Sequence, residues 1–205
     1  MKRQVVYIHG GDSFNTQADF LTALSRMPVR NLPGQESGVF WTKTLPEDLG
    51  DDFEVFMPTM PNKQNAHYEE WKVWFERHFT YLSDGIVLVG LSLGGMFLAK
   101  YLSENEPPFK VKAVYLLAAP GGEYPKQDDG NDCQSFRFSR SAALKLANRA
   151  NRVEIWHSTD DPVVPVSEAD WYGASAPGVK IRLFLDKNHF LVPTLPELLD
   201  ALRVE

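Results

Sequence analysis

Residues 86–95 read Ile86-Val87-Leu88-Val89-Gly90-Leu91-Ser92-Leu93-Gly94-Gly95, and the reading of this stretch decides the fold. The apolar run before Gly90 has the length and composition of a buried strand, and Gly95 to Leu102 reads as a helix. Between them stands a serine with glycine two residues away on either side, the strand–turn–helix setting of a nucleophile elbow. So tight a turn leaves no room for side chains at those flanking positions, hence the glycines. It pushes the serine hydroxyl out at the end of the sheet, where the new helix aims its first free N–H groups.

Working outward, six short apolar runs alternate with helical or irregular segments: Gln4–His9, Phe53–Met57, Ile86–Gly90, Lys112–Ala118, Arg152–His157 and Lys180–Leu185. Strands separated by helix-length segments predict βα units and an α/β architecture in which helices cover both faces of a mainly parallel sheet. One domain spanning residues 1–205 is expected. Trp71, Trp74, Phe75, His78, Phe79 and Leu82 fall at helical spacing and predict a helix whose aromatic face packs on the sheet. Leu195, Leu198, Leu199 and Leu202 give the last helix a similar stripe. Residues 28–50 are expected to form a loop with one short helix. Residues 119–140, with Gly121, Gly122, Gly130 and a cluster of Asp128, Asp129 and Asp132, predict a flexible loop rather than a helical lid. Its Phe136 and Phe138 could dip toward the serine but are too few to line a long acyl tunnel. Helical character resumes over Ser141–Arg149.

With 43% hydrophobic and 23% charged residues among 205, the composition is that of a soluble globular protein. A net charge of −6 weighs against a nucleic-acid binder. Cys133 is the single cysteine, which excludes an internal disulfide or a cysteine zinc cage and favours a reducing compartment. Val5–Ile8 is too short for a signal-peptide core, and the apolar stretch 86–99 is too short to span a bilayer, so a cytoplasmic location with no membrane association is expected. Gly90 to Gly95 fits G-x-x-x-x-G, but Met96-Phe97 stands where a phosphate-binding loop needs lysine and serine or threonine. No H-E-x-x-H cluster occurs, and neither a metal nor an organic cofactor is expected.

A serine hydroxyl needs a base, and histidine is suited by its pKa. His189 follows the last strand in Leu185-Asp186-Lys187-Asn188-His189-Phe190, where a loop can swing an imidazole over the sheet edge. His67 and His78 belong to the predicted amphipathic helix, His157 ends a strand as a structural residue, and His9 braces the first strand-to-loop turn. The orienting carboxylate lies in His157-Ser158-Thr159-Asp160-Asp161-Pro162. Its adjacent aspartates leave the assignment open between Asp160 and Asp161, with Asp161, before Pro162, preferred. Asp160 is expected to make at most a turn hydrogen bond. Two oxyanion donors are needed. The Leu93 N–H is one, and Gly11 supplies the other, with Asp12 as second choice.

Taken in order, Tyr7-Ile8-His9-Gly10-Gly11, Gly90 to Gly95, His157 to Pro165 and Lys187-Asn188-His189-Phe190 resemble the blocks of an α/β-hydrolase-fold serine hydrolase. The chain is most similar to the small, lidless type represented by retinoblastoma-binding protein nine and its bacterial relatives. The resemblance implies a three-layer fold with a six-stranded sheet ordered 2-1-3-4-5-6, a minimal cap, and a Ser92–Asp161–His189 triad. It departs from that type at Leu91, where many relatives carry histidine. The implied activity is hydrolysis of a small-molecule acyl substrate, a carboxylic ester or thioester, through an acyl-enzyme. The alternative is a catalytically weak scaffold that binds a protein partner. The oligomeric state stays open.

Overall fold

The computed structural model describes residues 2–29, 38 and 40–205. Six strands form one sheet: β1 (Arg3–Ile8), β2 (Phe53–Phe56), β3 (Ile86–Leu91), β4 (Val111–Leu117), β5 (Ala150–Ser158) and β6 (Lys180–Phe184). Their order is β2-β1-β3-β4-β5-β6, and every pair is parallel. All six lie where the apolar runs predict strands, with ends displaced by no more than about two residues, the ordinary uncertainty of strand termini.

The period-two alternation of each strand sorts its side chains onto two faces. Val6, Ile8, Leu88, Val114 and Ile155 belong to the core on one side, and Val5, Tyr7, Val89, Tyr115 and Trp156 to the core on the other. The first side is covered by α3 (Tyr68–Glu76), α4 (Leu93–Glu104), α5 (Arg140–Ala143) and α6 (Ser167–Ser175). The second is covered by α2 (Trp41–Leu49) and α7 (Pro196–Val204). The remaining helix, α1 (Gln17–Leu24), follows β1 and is capped by the Thr16 hydroxyl. All residues of β3 are buried, as a central parallel strand with both faces covered requires. β1 and β3 are neighbours, yet β1 leads toward α2 on one face and β3 into α4 on the other. This is the switch point at which open α/β sheets leave a crevice beyond their carboxyl ends.

Three local expectations change. The helix predicted to run through Leu82 ends at Glu76, with a separate short turn of 3-10 helix over Phe79–Tyr81. Trp71 and Phe75 are buried one helical turn apart, and Trp74, at the flank of that face, is 40% exposed and edge-on to His78. Within 28–50, the short helix is α2, while residues 30–37 and 39 lie outside the described residues. Over 141–149 the helical character divides into the end of α5 and a 3-10 turn at Leu146–Arg149.

Candidate active site

Ser92 has φ 55° and ψ −124°, a region that non-glycine residues enter only when the surroundings enforce it. The enforcement is visible. Its N–H donates to the Leu117 carbonyl at 2.8 Å, and its carbonyl accepts from the Gly95 and Met96 N–H groups at 2.9 and 3.1 Å. A Cβ on Gly90 would lie 2.6 Å from the Gly94 carbonyl oxygen, and one on Gly94 would drive into the carbonyls of Ile8 and His9. The elbow is therefore pressed against the turn after β1 and against β4 with only hydrogen atoms between.

The turn after β1 is braced by His9. Its Nδ1–H donates to the Gly10 carbonyl at 2.6 Å, and Nε2 accepts the Met60 N–H at 2.9 Å, which sets the tautomer. Burial holds the His9 pKa below the ordinary 6.5. Asp12, the second-choice oxyanion donor, has its N–H committed to the Lys63 carbonyl at 2.8 Å. Among the described residues the Gly11 N–H has no acceptor, and Gly11 lines the same cleft as Ser92 and Leu93. A Cβ on Gly11 would lie 2.5 Å from the Lys63 carbonyl oxygen, so this backbone approach also requires glycine. The Leu93 N–H heads α4, where no earlier turn of helix supplies an acceptor.

Beyond β5 and β6 the two aspartates separate. The Asp161 side chain is buried: its Oδ1 accepts the Val163 and Val164 N–H groups at 2.8 and 3.0 Å, and its Oδ2 lies 2.8 Å from His189 Nδ1. Asp160 is exposed, and its Oδ1 accepts the Ser158 hydroxyl and, at 2.9 Å, the Asn188 N–H. The expectation of a mere turn hydrogen bond is corrected, because the bond to Asn188 crosses to the loop after β6. That loop carries left-handed residues on both sides of His189, Asn188 and Phe190, each with φ 53°. Its far end is tied to α2 by the Trp41 indole N–H, which donates to the Phe190 carbonyl at 2.8 Å.

His189 is 7% exposed and reaches Asp161, but among the described residues no hydrogen bond joins it to Ser92 Oγ. Such bonds are often loose until a substrate binds. His157 is fully buried, donates from Nε2 to the Val164 carbonyl at 2.8 Å, and lies 3.7 Å from Asp161 Oδ2. Burial depresses its pKa below 6.5. His67 and His78, expected on the amphipathic helix, flank it instead: His67 is the N-cap residue of α3, and His78 lies beyond its C-terminus, where Nδ1 donates to the Trp74 carbonyl at 2.8 Å.

Ser92, Gly11 and Leu93 share a cleft of about 330 Å³ with Pro120, Val163 and Val164. Asp12 and Pro162 also line it, and a further wall comes from the 119–140 segment through Tyr124, Gln127, Asp129, Asn131 and Cys133. Sequence reasoning missed these lining residues, and only the segment's position after β4 hinted at them. The segment contains no α-helix before α5, as its glycines predict, but the structure departs from the expectation of a loosely held loop. Lys100 Nζ donates to the Ser135 and Arg137 carbonyls at 2.9 Å each, and Asp132 pairs with Arg137 at 2.7 Å. Phe136 and Phe138 turn away from Ser92. Phe136 joins the Trp71 and Phe97 rings, and Phe138 meets Trp171 edge-on, because burial in these aromatic clusters outweighs exposure at an open cleft. Cys133 is buried, and its thiol is pushed up to about 12 by that burial, which removes it as a nucleophile.

Among the described residues no group of three histidine, cysteine or acidic side chains is placed to hold a metal, and no helix is long and apolar enough to cross a membrane. A family model described as serine hydrolase matches residues 33–193. None of the curated proteins compared matches the chain. Solved structures that it resembles include the ydeN gene product from B. subtilis, at 18% identity and a TM-score of 0.70, covering 99% of this chain and 98% of that one. The esterase domain of a Rhodothermus marinus protein aligns at 14% identity and 0.59, covering 98% and 84%. Est1E from Butyrivibrio proteoclasticus aligns at 14% and 0.59, covering 99% and 86%. At these identities the three structures establish the α/β-hydrolase fold.

Proposed function

The chain belongs to the serine hydrolase family, and from that premise we propose that it cleaves small carboxylic esters or thioesters through an acyl-enzyme on Ser92. It is read as the small, lidless type of the fold. His189 Nε2 takes the Ser92 hydroxyl proton as Oγ attacks the carbonyl carbon. Asp161 holds the Nδ1–H, keeps the productive tautomer and stabilises the imidazolium. The Leu93 and Gly11 N–H groups stabilise the tetrahedral oxyanion. His189 then protonates the departing alcohol or thiol, the acyl-enzyme forms, and the same imidazole activates the water that releases the acid.

The observation that carries this reading is the hydrogen-bonded Asp161–His189 pair at the sheet end where Ser92 stands on its strained turn beside Gly11. A cleft of about 330 Å³ is at the small end of the range for ligand sites, which favours short acyl groups. The chemistry is complete without a cofactor, and a single buried cysteine suits the reducing cytoplasm.

The test is a panel of esters, thioesters and amides offered to the wild type and to Ser92→Ala, together with labelling by a fluorophosphonate. An adduct on Ser92 and turnover that vanishes in the variant are expected. An adduct on another residue, or undiminished turnover by Ser92→Ala, overturns the reading. Absence of both adduct and turnover favours a scaffold that binds a protein partner.

A further inference from the structure

We propose that Asp160 is a positioning residue for His189, acting with Ser158 as a bracket that holds the backbone of the loop bearing the base. This rests on the reading of His189 as the base.

The bracket begins at the last residue of β5. Ser158 is fully buried, and its hydroxyl donates to Asp160 Oδ1 while accepting the Lys187 N–H at 3.0 Å. The same Asp160 oxygen accepts the Asn188 N–H at 2.9 Å. The next N–H along, that of His189, donates to Asn188 Oδ1 at 2.8 Å. Three consecutive N–H groups leading to the imidazole are thus bound, two of them to the Ser158–Asp160 unit. Residues 158–161 therefore hold the base twice: Asp161 grips the ring, and Ser158 with Asp160 grips the chain.

The grip on the chain is needed because Asn188 and Phe190 are both left-handed. Such backbone is unfavourable for residues with a Cβ and persists only where the surroundings over-determine it. Asp160 is suited to the task. The Ser158 hydrogen bond, followed by that of Asn188, holds its carboxyl below the ordinary carboxylate range, so the acceptor carries charge at neutral pH. Charge-assisted hydrogen bonds are roughly twice as strong as neutral ones. A turn-forming aspartate would bond within its own loop, whereas this one reaches 28 residues along the chain.

The experiment compares Asp160→Ala, which removes the acceptor, with Asp160→Asn, which keeps one acceptor oxygen, and with Ser158→Ala. Steady-state kinetics on a short ester separate kcat from KM, and proton NMR follows the low-field His189 Nδ1–H resonance. Because a displacement of about 1 Å can cost about 10²-fold, kcat of Asp160→Ala should fall by about that factor with KM nearly unchanged. Asp160→Asn should recover most of the loss. Ser158→Ala should resemble Asp160→Ala, and the double variant should be little worse than either, the non-additivity of groups acting as one unit. The low-field proton should shift or broaden in both alanine variants and stay near its wild-type position in Asp160→Asn.

Wild-type kcat together with an unmoved proton in Asp160→Ala overturns the proposal. Should Asp160→Ala fail to fold, Ser158→Ala decides by the same criteria. Should the wild type show no Ser92-dependent turnover, the functional reading fails, yet the proton still decides the positioning claim: unmoved in the alanine variants, it sinks the bracket.

Discussion

On the proposed nucleophile side of the site, Gly90 and Gly11 occupy places where a Cβ would come within 2.6 Å of a carbonyl oxygen, and backbone pressed on backbone sets the geometry. On the proposed base side, Asp161 and His189 stand in loops positioned by hydrogen bonds that Val163 and Val164 donate to Asp161 and that Ser158 and Asp160 accept from Lys187 and Asn188. Steric placement responds to added volume and is indifferent to protons. Placement by polar groups tolerates volume and depends on charge. The proposed active site thus joins two supports with different weaknesses.

The most forceful way to break this comparison is to remove the chemistry from each side in turn. Ser92→Ala should lower turnover of a short ester by several powers of ten. Asp161→Asn, which leaves the volume intact, should cost about 10⁴-fold by favouring the wrong imidazole tautomer. Near-normal kcat/KM for Asp161→Asn would show that the base side does not depend on its carboxylate.

Next in size is a methyl group on the steric side. Gly94→Ala pushes into the Ile8 and His9 carbonyls, which belong to β1 and its turn and cannot withdraw. A loss of about 3 kcal/mol is expected, or a Tm lower by about 6–12 °C for a chain of this size. Gly85 offers the contrast: φ is 90° but nothing lies within 4 Å of an added Cβ, so Gly85→Ala should cost only about 1 kcal/mol. Equal Tm losses would mean that backbone conformation, not close approach, governs both.

A smaller effect tests the proton sensitivity of the base side. His157 is held neutral in the fold, with a pKa below 6.5. As pH falls through about 6.5 the unfolded chain takes up a proton that the native state refuses, so stability is level above that pH and declines below it. The decline reaches at most about 1.4 kcal/mol per pH unit and continues until the folded pKa is passed. His157→Gln retains a donor for the Val164 carbonyl without titrating. Urea melts from pH 5 to 8 should show a shallower acid slope for this variant. Gly94→Ala should keep the wild-type slope at a lower overall stability. Identical slopes for wild type and His157→Gln would refute the assignment.

The smallest effect concerns the cleft between the two sides. With Phe136 and Phe138 turned into the core, acyl carbons that extend past Pro120, Val163 and Val164 should forgo the roughly 0.8 kcal/mol that burial of a methylene provides. The kcat/KM for esters from acetyl to palmitoyl, with Ser92→Ala as blank, should level off early. A steady climb to long chains would reveal an apolar tunnel that the polar wall of Tyr124, Gln127 and Asn131 does not suggest.

The sequence by itself determined the six strands, the sheet's apolar faces and the elbow. These rest on local rules, the period of two and the exclusion of side chains from a tight turn, and neighbours along the chain suffice to state them. The preference for Gly11 over Asp12 also came from local reasoning, but the observation behind it is long-range: Lys63 claims the Asp12 N–H. The sequence only preferred Asp161, and tertiary structure separated the adjacent aspartates by bringing Asn188 to Asp160 and His189 to Asp161, each 28 residues along the chain. Tertiary structure alone decided that α3 ends at Glu76 and that Phe136 joins the Trp71 cluster rather than the cleft. Composition describes what a residue can bury or bond, whereas the partner that makes one choice lower in free energy is brought within reach only by the folded chain.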